Sequence, residues 1–123
     1  MSNISPNLDL SLLHEIADGN NEFIIESIDM FLQQAPPSLQ DIGNALKEMD
    51  WATAASAAHK LKATLGFFGM LNSQALIQHI ELSCKTGAPN AVDVLTKLDE
   101  VRASIAANTI ALLKIKEEAE TKL

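Results

Sequence analysis

Residues 51–70 read WATAASAAHKLKATLGFFGM, and they hold a histidine, His59, followed one helical turn later by a lysine, Lys62. An imidazole, with an ordinary pKa of about 6.5, is largely neutral near pH 7 and is a nucleophile in that form. A phosphoryl group bound to its nitrogen is labile and can be passed on, whereas a serine or threonine ester would be too stable. An ammonium three residues further along a helix can reach a phosphoryl group on the ring and offset its charge. The pairing therefore suggests phosphoryl carriage, with His59 as the acceptor and Lys62 as the stabilising cation.

The surroundings of His59 fit that chemistry. On a wheel of about 100° per residue, Ala54, Ala58, Leu61, Leu65 and Phe68 form a core stripe, and His59 points about 140° away from its centre. An exposed ring is predicted. Within about 60° of it lie Ala52, Ala55, Ser56, Lys62, Ala63 and Gly66, nearly all small. The ring would thus stand proud of a shallow surface that another protein can approach, with Phe67 adding an apolar contact at the rim. Ala55, Ser56, Lys60, Ala63, Gly66 and Phe67 form the candidate docking surface. Residues 51–71 contain Lys60 and Lys62 but no Asp or Glu, in a chain of 16 acidic and 9 basic residues. An anion is locally welcome there.

The elements that must position these residues are helical, because apolar residues recur at spacings of three and four with no sustained alternation. A first helix is expected over residues 8–17, with Gly19 ending it. Asn20 or Asn21 can cap a second helix with the stripe Ile24, Ile28, Phe31 and Leu32. Pro36 and Pro37 predict a kink or restart, after which the stripe resumes with Leu39, Ile42, Leu46 and Met49. Asp50 is placed to cap a third helix over residues 51–68. A fourth, over residues 72–85, buries Leu76, Ile77, Ile80 and Cys84. In KTGAPN, Gly87 and Pro89 break the chain and Asn90 can cap the last helix, with its seam of Val94, Leu98, Val101, Ile105 and Leu112. Residues 114–123 read as a solvated, fraying end. The fold class expected is all-α: one domain over residues 1–123, an antiparallel up-and-down four-helix bundle with a short N-terminal covering helix.

Composition excludes several other functions. The formal net charge of −7 would repel nucleic acid and an anionic membrane surface alike. No run approaches the ~18 apolar residues that span a bilayer, and MSNISPNLDL lacks the features of a signal peptide, so a soluble, cytoplasmic protein is expected. Cys84 has no cysteine partner, and no Cys/His cluster has zinc spacing, so neither a disulfide nor a bound metal is expected. Glu-x-x-His pairs of the di-iron kind are absent, since Ser11, Ser56 and Leu76 stand three residues before the histidines. Without a phosphate-binding loop, self-phosphorylation from ATP is not expected. His14 and His79 are assigned no role, Cys84 reads as a small buried hydrophobe, and Trp51 packs where its helix begins. No long apolar stripe is left over, which favours a monomer.

HKLKATLGFFG resembles the signature of the histidine phosphotransfer (HPt) family, His-x-Leu-Lys-Gly-Ser/Ala with a glycine at the tenth position after the histidine. His59, Leu61, Lys62 and Gly69 match it. NLDLSLLHEIADGNNEFIIESIDMFLQQAP is similar to the family's leading helices, ALKEMDWATAASAAHKLK to its approach to the histidine, and LIQHIELSCKTG to the helix after it. The resemblance covers about residues 8–110. It implies a bundle whose exposed histidine accepts a phosphoryl group from the aspartyl phosphate of a receiver domain and gives it to another receiver. The implied partners are response-regulator receiver domains and a hybrid sensor kinase, with Mg2+ on the partner receiver and no cofactor on this chain. Positioning and charge neutralisation supply most of the catalysis in such a transfer.

The sequence departs from the signature at Ala63, where the family has glycine; the added methyl narrows the space beside the ring and should alter partner fit or rate. Thr64 is a milder departure. A docking module that binds a receiver or kinase without transfer stays open, although His59 argues against it. So does the phosphoacceptor domain of a hybrid or chemotaxis-type kinase, although the start at Met1 and the solvated end favour an independent protein.

Overall fold

Asn20, Asp50 and Asn90 each turn a side-chain oxygen onto the first turn of a helix, accepting from the backbone N–H of Phe23 at 3.0 Å, Thr53 at 3.2 Å and Asp93 at 3.1 Å. These bonds satisfy donors that a helix start leaves unpaired. They open α2 (Asn21–Lys47), α3 (Trp51–Phe67) and α5 (Ala91–Glu120). The remaining helices are α1 (Ser11–Ala17) and α4 (Leu71–Lys85), in a computed structural model that describes residues 8–87 and 90–123. Among the described residues there is no strand.

α2 packs against α3 and α5, α4 packs against the same two, and α1 lies on α2. The connections are short, at residues 48–50, 68–70 and 86–90, so successive long helices run antiparallel. This is the four-helix bundle with a covering helix that the periodicity predicts. Its interior is filled by Ile28, Phe31, Ile42 and Leu46 of α2, Leu65 of α3, Ile77 and Ile80 of α4, and Leu98 and Leu112 of α5, all at or below 1% exposure. Each such side chain contributes roughly 1.5–3 kcal/mol on burial. α3 otherwise faces the core with Ala54 and Ala58, both fully buried, and with Leu61.

The turn from α3 to α4 explains one signature residue. Gly69 has φ +66°, and a Cβ there would strike the backbone carbonyl of Asp9. Only glycine combines that left-handed conformation with so close an approach. The N–H of Met70 returns to Leu65 O at 2.9 Å and that of Gly69 to Gly66 O at 3.0 Å, closing the helix end. The Asp9 N–H donates to Phe68 O at 3.2 Å, fastening the segment before α1 across the turn.

Five expectations are corrected. α2 does not restart at Pro36 and Pro37 but runs through them. Both prolines are exposed, so the carbonyls they leave unpaired, on Leu32 and Gln33, lie near the solvent side, where water can serve them. Met49 is 69% exposed rather than in the core, because it lies past the end of α2 at φ 58°, in the left-handed turn that delivers Asp50 to its cap. Leu76 is only half-buried. Residues 114–123 are not simply a fraying end: α5 continues to Glu120, Ala119 is buried, and Lys116 pairs with Asp29 of α2 at 2.7 Å. α1 begins at Ser11 rather than residue 8, with Leu8 packed into the core ahead of it. The expected breaker Pro89 lies outside the described residues.

Candidate functional site

His59 projects from the middle of α3 with its side chain 65% exposed, on the face away from Leu61 and Leu65. The ring is nevertheless held. Its Nδ1 lies 2.8 Å from Oε2 of Glu81, which α4 brings across. Glu81 is only 2% exposed, and a carboxylate at that depth needs charged partners. Lys62 Nζ donates to its Oε1 at 2.8 Å, and Lys85, one turn further along α4, lies 2.9 Å from Oε2. The bond from Lys62, with those from Lys85 and His59, draws the Glu81 carboxyl down to about 2 against the upward push of burial.

Glu81 is therefore an anion at neutral pH, and an ionised carboxylate can only accept. The proton on the neutral His59 ring then belongs on Nδ1, which leaves the lone pair on Nε2. A buried carboxylate thus selects the tautomer and orients an exposed ring. Sterically, α3 makes room for this arrangement. Gln74 of α4 donates its amide to the Lys62 carbonyl at 3.2 Å, and a Cβ at Gly66 would run into that amide.

The structure brings His59 and Lys62 together, with Lys62 26% exposed and engaged by Glu81 rather than free in solvent. Of the expected docking residues, Ser56, Lys60 and Ala63 are exposed and Phe67 is half-buried, edge-on to Phe68 at 5.2 Å. Ala55 and Gly66 are corrections. Ala55 is 6% exposed and forms the floor of an open groove that Trp51, Ser56, Cys84 and Lys85 also line, leading to His59. Gly66 is half-buried beneath Gln74. The absence of acidic residues from 51–71 is true of α3 alone, since α4 sets an anion directly beneath the ring. Glu81 and Lys85 escaped the reading of the sequence. A signal was present: Glu81 stands four residues after Ile77 and three before Cys84, a charged residue at a seam position of an apolar stripe.

His79 makes a looser pair, its Nε2 lying 3.3 Å from Oδ2 of Asp93, while His14 is exposed. Among the described residues no group of His, Cys, Asp and Glu is arranged to hold a metal ion, and no helix is long and apolar enough to cross a membrane.

A family model described as the Hpt domain matches residues 26–107, most of the bundle and all four residues of the His59 cluster. The chain belongs to the Hpt domain family. The HPT domain of the Hpt sensor hybrid histidine kinase from Shewanella, a crystal structure, is similar at 26% identity and a TM-score of 0.64, covering 95% of this chain and 93% of that one. No curated protein matches the chain. The function of this Hpt domain is histidine phosphotransfer in a phosphorelay, where it is a phosphocarrier and its partners are receiver domains.

Proposed function

We propose that His59 is the phosphoacceptor of this Hpt domain and that its Nε2 is the atom phosphorylated. The carrying observation is the 2.8 Å contact between Nδ1 and the buried carboxylate of Glu81, which leaves the other nitrogen as the nucleophile on an exposed ring. The Nε2 lone pair attacks the phosphorus of a receiver's aspartyl phosphate. The N–P bond forms, the P–O bond to the aspartate breaks, and the aspartate carboxylate leaves with the electron pair. Because Nδ1 keeps its proton, the product is a phosphorylated imidazolium, and Glu81 lies against the positive charge the ring has gained. Transfer to the second receiver reverses these steps.

Lys62, already beside the ring, offsets the phosphoryl charge. The exposed Ser56, Lys60 and Ala63, with Phe67 at the rim and Ala55 and Gly66 beneath, form the surface a receiver meets. Ala63, in the signature's glycine position, tunes that fit. Mg2+ belongs to the receiver, and this chain binds no cofactor and has no kinase activity of its own. It works as a monomer in the cytoplasm, between a hybrid sensor kinase and a response regulator.

The test is to mix the protein with a panel of phosphorylated receiver domains and follow label onto it. Acid-labile labelling that disappears in His59→Gln is the expected result. If receivers bind the protein but pass it no label, or if His59→Gln still labels, this reading is wrong and a docking module becomes the better account.

A further inference from the structure

Lys85 is no part of the signature that singles out His59 and Lys62, and it comes from a different helix. Its ammonium nitrogen lies 2.9 Å from Oε2 of Glu81, the same oxygen that faces His59 Nδ1 at 2.8 Å. A single oxygen atom thus links the ammonium to the imidazole. Lys62 takes the other oxygen, Oε1.

The antiparallel course of α3 and α4 sets the two lysines on opposite sides of the ring. Lys62 lies one turn toward the C-terminal end of α3, where Gln74 meets its carbonyl. Lys85 lies toward the N-terminal end and shares the groove of Ala55, Ser56 and His59. Lys85 is also the freer of the two, at 56% exposure against 26%. Glu81 balances one ammonium and leaves one positive charge in excess beside a neutral ring. That excess is suited to a group that arrives with a charge of about −1.5 to −2.

We propose that Lys85 is a second phosphoryl-binding cation of this site: when Nε2 of His59 carries the phosphoryl group, the Lys85 ammonium turns from Glu81 to a phosphoryl oxygen, opposite Lys62. Glu81 is then the resting place of an ammonium that the phosphoryl group draws away. No covalent bond of the transfer changes and Lys85 keeps its protons. The inference rests on His59 being the phosphoacceptor.

The test compares wild type, Lys85→Gln and Lys85→Arg, each phosphorylated by the same receiver. A 31P NMR titration reads the last ionisation of the phosphoryl group, which Glu81 raises and Lys60, Lys62 and Lys85 lower. Lys85→Gln is expected to move that midpoint to higher pH. It should also shift the partition of phosphoryl from carrier to receiver by roughly fivefold, the size expected of one partly exposed charge contact. Lys85→Arg should restore both. An unchanged midpoint and partition in Lys85→Gln, with label still on His59, would overturn the inference while leaving the acceptor assignment intact. A defect that arginine does not restore, accompanied by a moved His59 Nδ1–H resonance, would also overturn it, leaving Lys85 as a residue that only positions Glu81. Loss of label from all three proteins alike would instead bring down the assignment of His59.

Discussion

Two histidines of this bundle face a carboxylate on a neighbouring helix, and in both cases a lysine shares that carboxylate. At the first, His59 meets Glu81 at 2.8 Å with Lys62 and Lys85 alongside; at the second, His79 meets Asp93 at 3.3 Å with Lys97 at 2.6 Å. The chemical inventories are nearly the same, but the depths are not: Glu81 is 2% exposed and Asp93 47%. Water competes for every bond to Asp93, and exposed pairs of that kind contribute only about 0–1 kcal/mol. Glu81 has no such competitor, so its contacts fix geometry. Depth of the carboxylate, rather than the presence of one, separates a site from a surface contact.

The contrast is broken most directly by truncating the two carboxylates. Glu81→Ala should lower the rate of phosphoryl transfer from a receiver by on the order of 10²-fold, since the ring loses its fixed tautomer and orientation. A rapid-quench comparison with wild type reads that loss. Asp93→Ala in the same assay should leave the rate within about twofold. Equal losses in the two variants would show that burial is not what distinguishes the sites.

Acid sharpens the comparison through stability. The Glu81 carboxyl is held down at about 2, from 4.5, by Lys62 first and then by Lys85 and His59. A carboxyl depressed by folding stabilises the native state fully above its unfolded pKa, and that contribution is lost as pH falls toward the folded value. Wild type should therefore lose thermal stability between about pH 4.5 and 2, and Glu81→Gln should show a visibly shallower fall over the same window. Melting curves followed by circular dichroism measure this. The Asp93 carboxyl is also lowered, by Lys97 first and then by His79. Its contribution has the same sign, but being exposed to solvent it should be barely detectable in Asp93→Asn. The smallest effect is expected of His79→Gln, with transfer unchanged and stability within about 0.5 kcal/mol of wild type.

What the sequence makes legible follows from the range of each interaction. The bundle, the caps at Asp50 and Asn90, and the outward face of His59 are set within one or two helical turns and are read from local pattern, which leaves Asn20 and Asn21 both open as the cap of α2 where the structure uses Asn20. Lys62 is legible for the same reason. Glu81 is not, because it is 22 residues from His59 and reaches it only through the packing of α4 on α3. Lys85 follows Glu81 into the same blind spot. Met49 fails for a local reason, since a stripe extrapolated by three residues from Leu46 passes the point where the chain turns left-handed. The continuity of α2 through Pro36 and Pro37 is a tertiary effect: burial of Ala35 and Leu39 on either side holds the helix in line across the missing donors.

The buried methyl groups of Ala54 and Ala58 carry one more consequence. At these two positions only methyl groups face the core, so a larger side chain there would push α3 outward and change how high the His59 ring stands and whether Glu81 can reach it from below. On the proposed reading of His59, a partner that brings its reacting atom to Nε2 is sensitive to side chains it never touches. Productive docking would thus depend on the interior of this domain as well as on its surface.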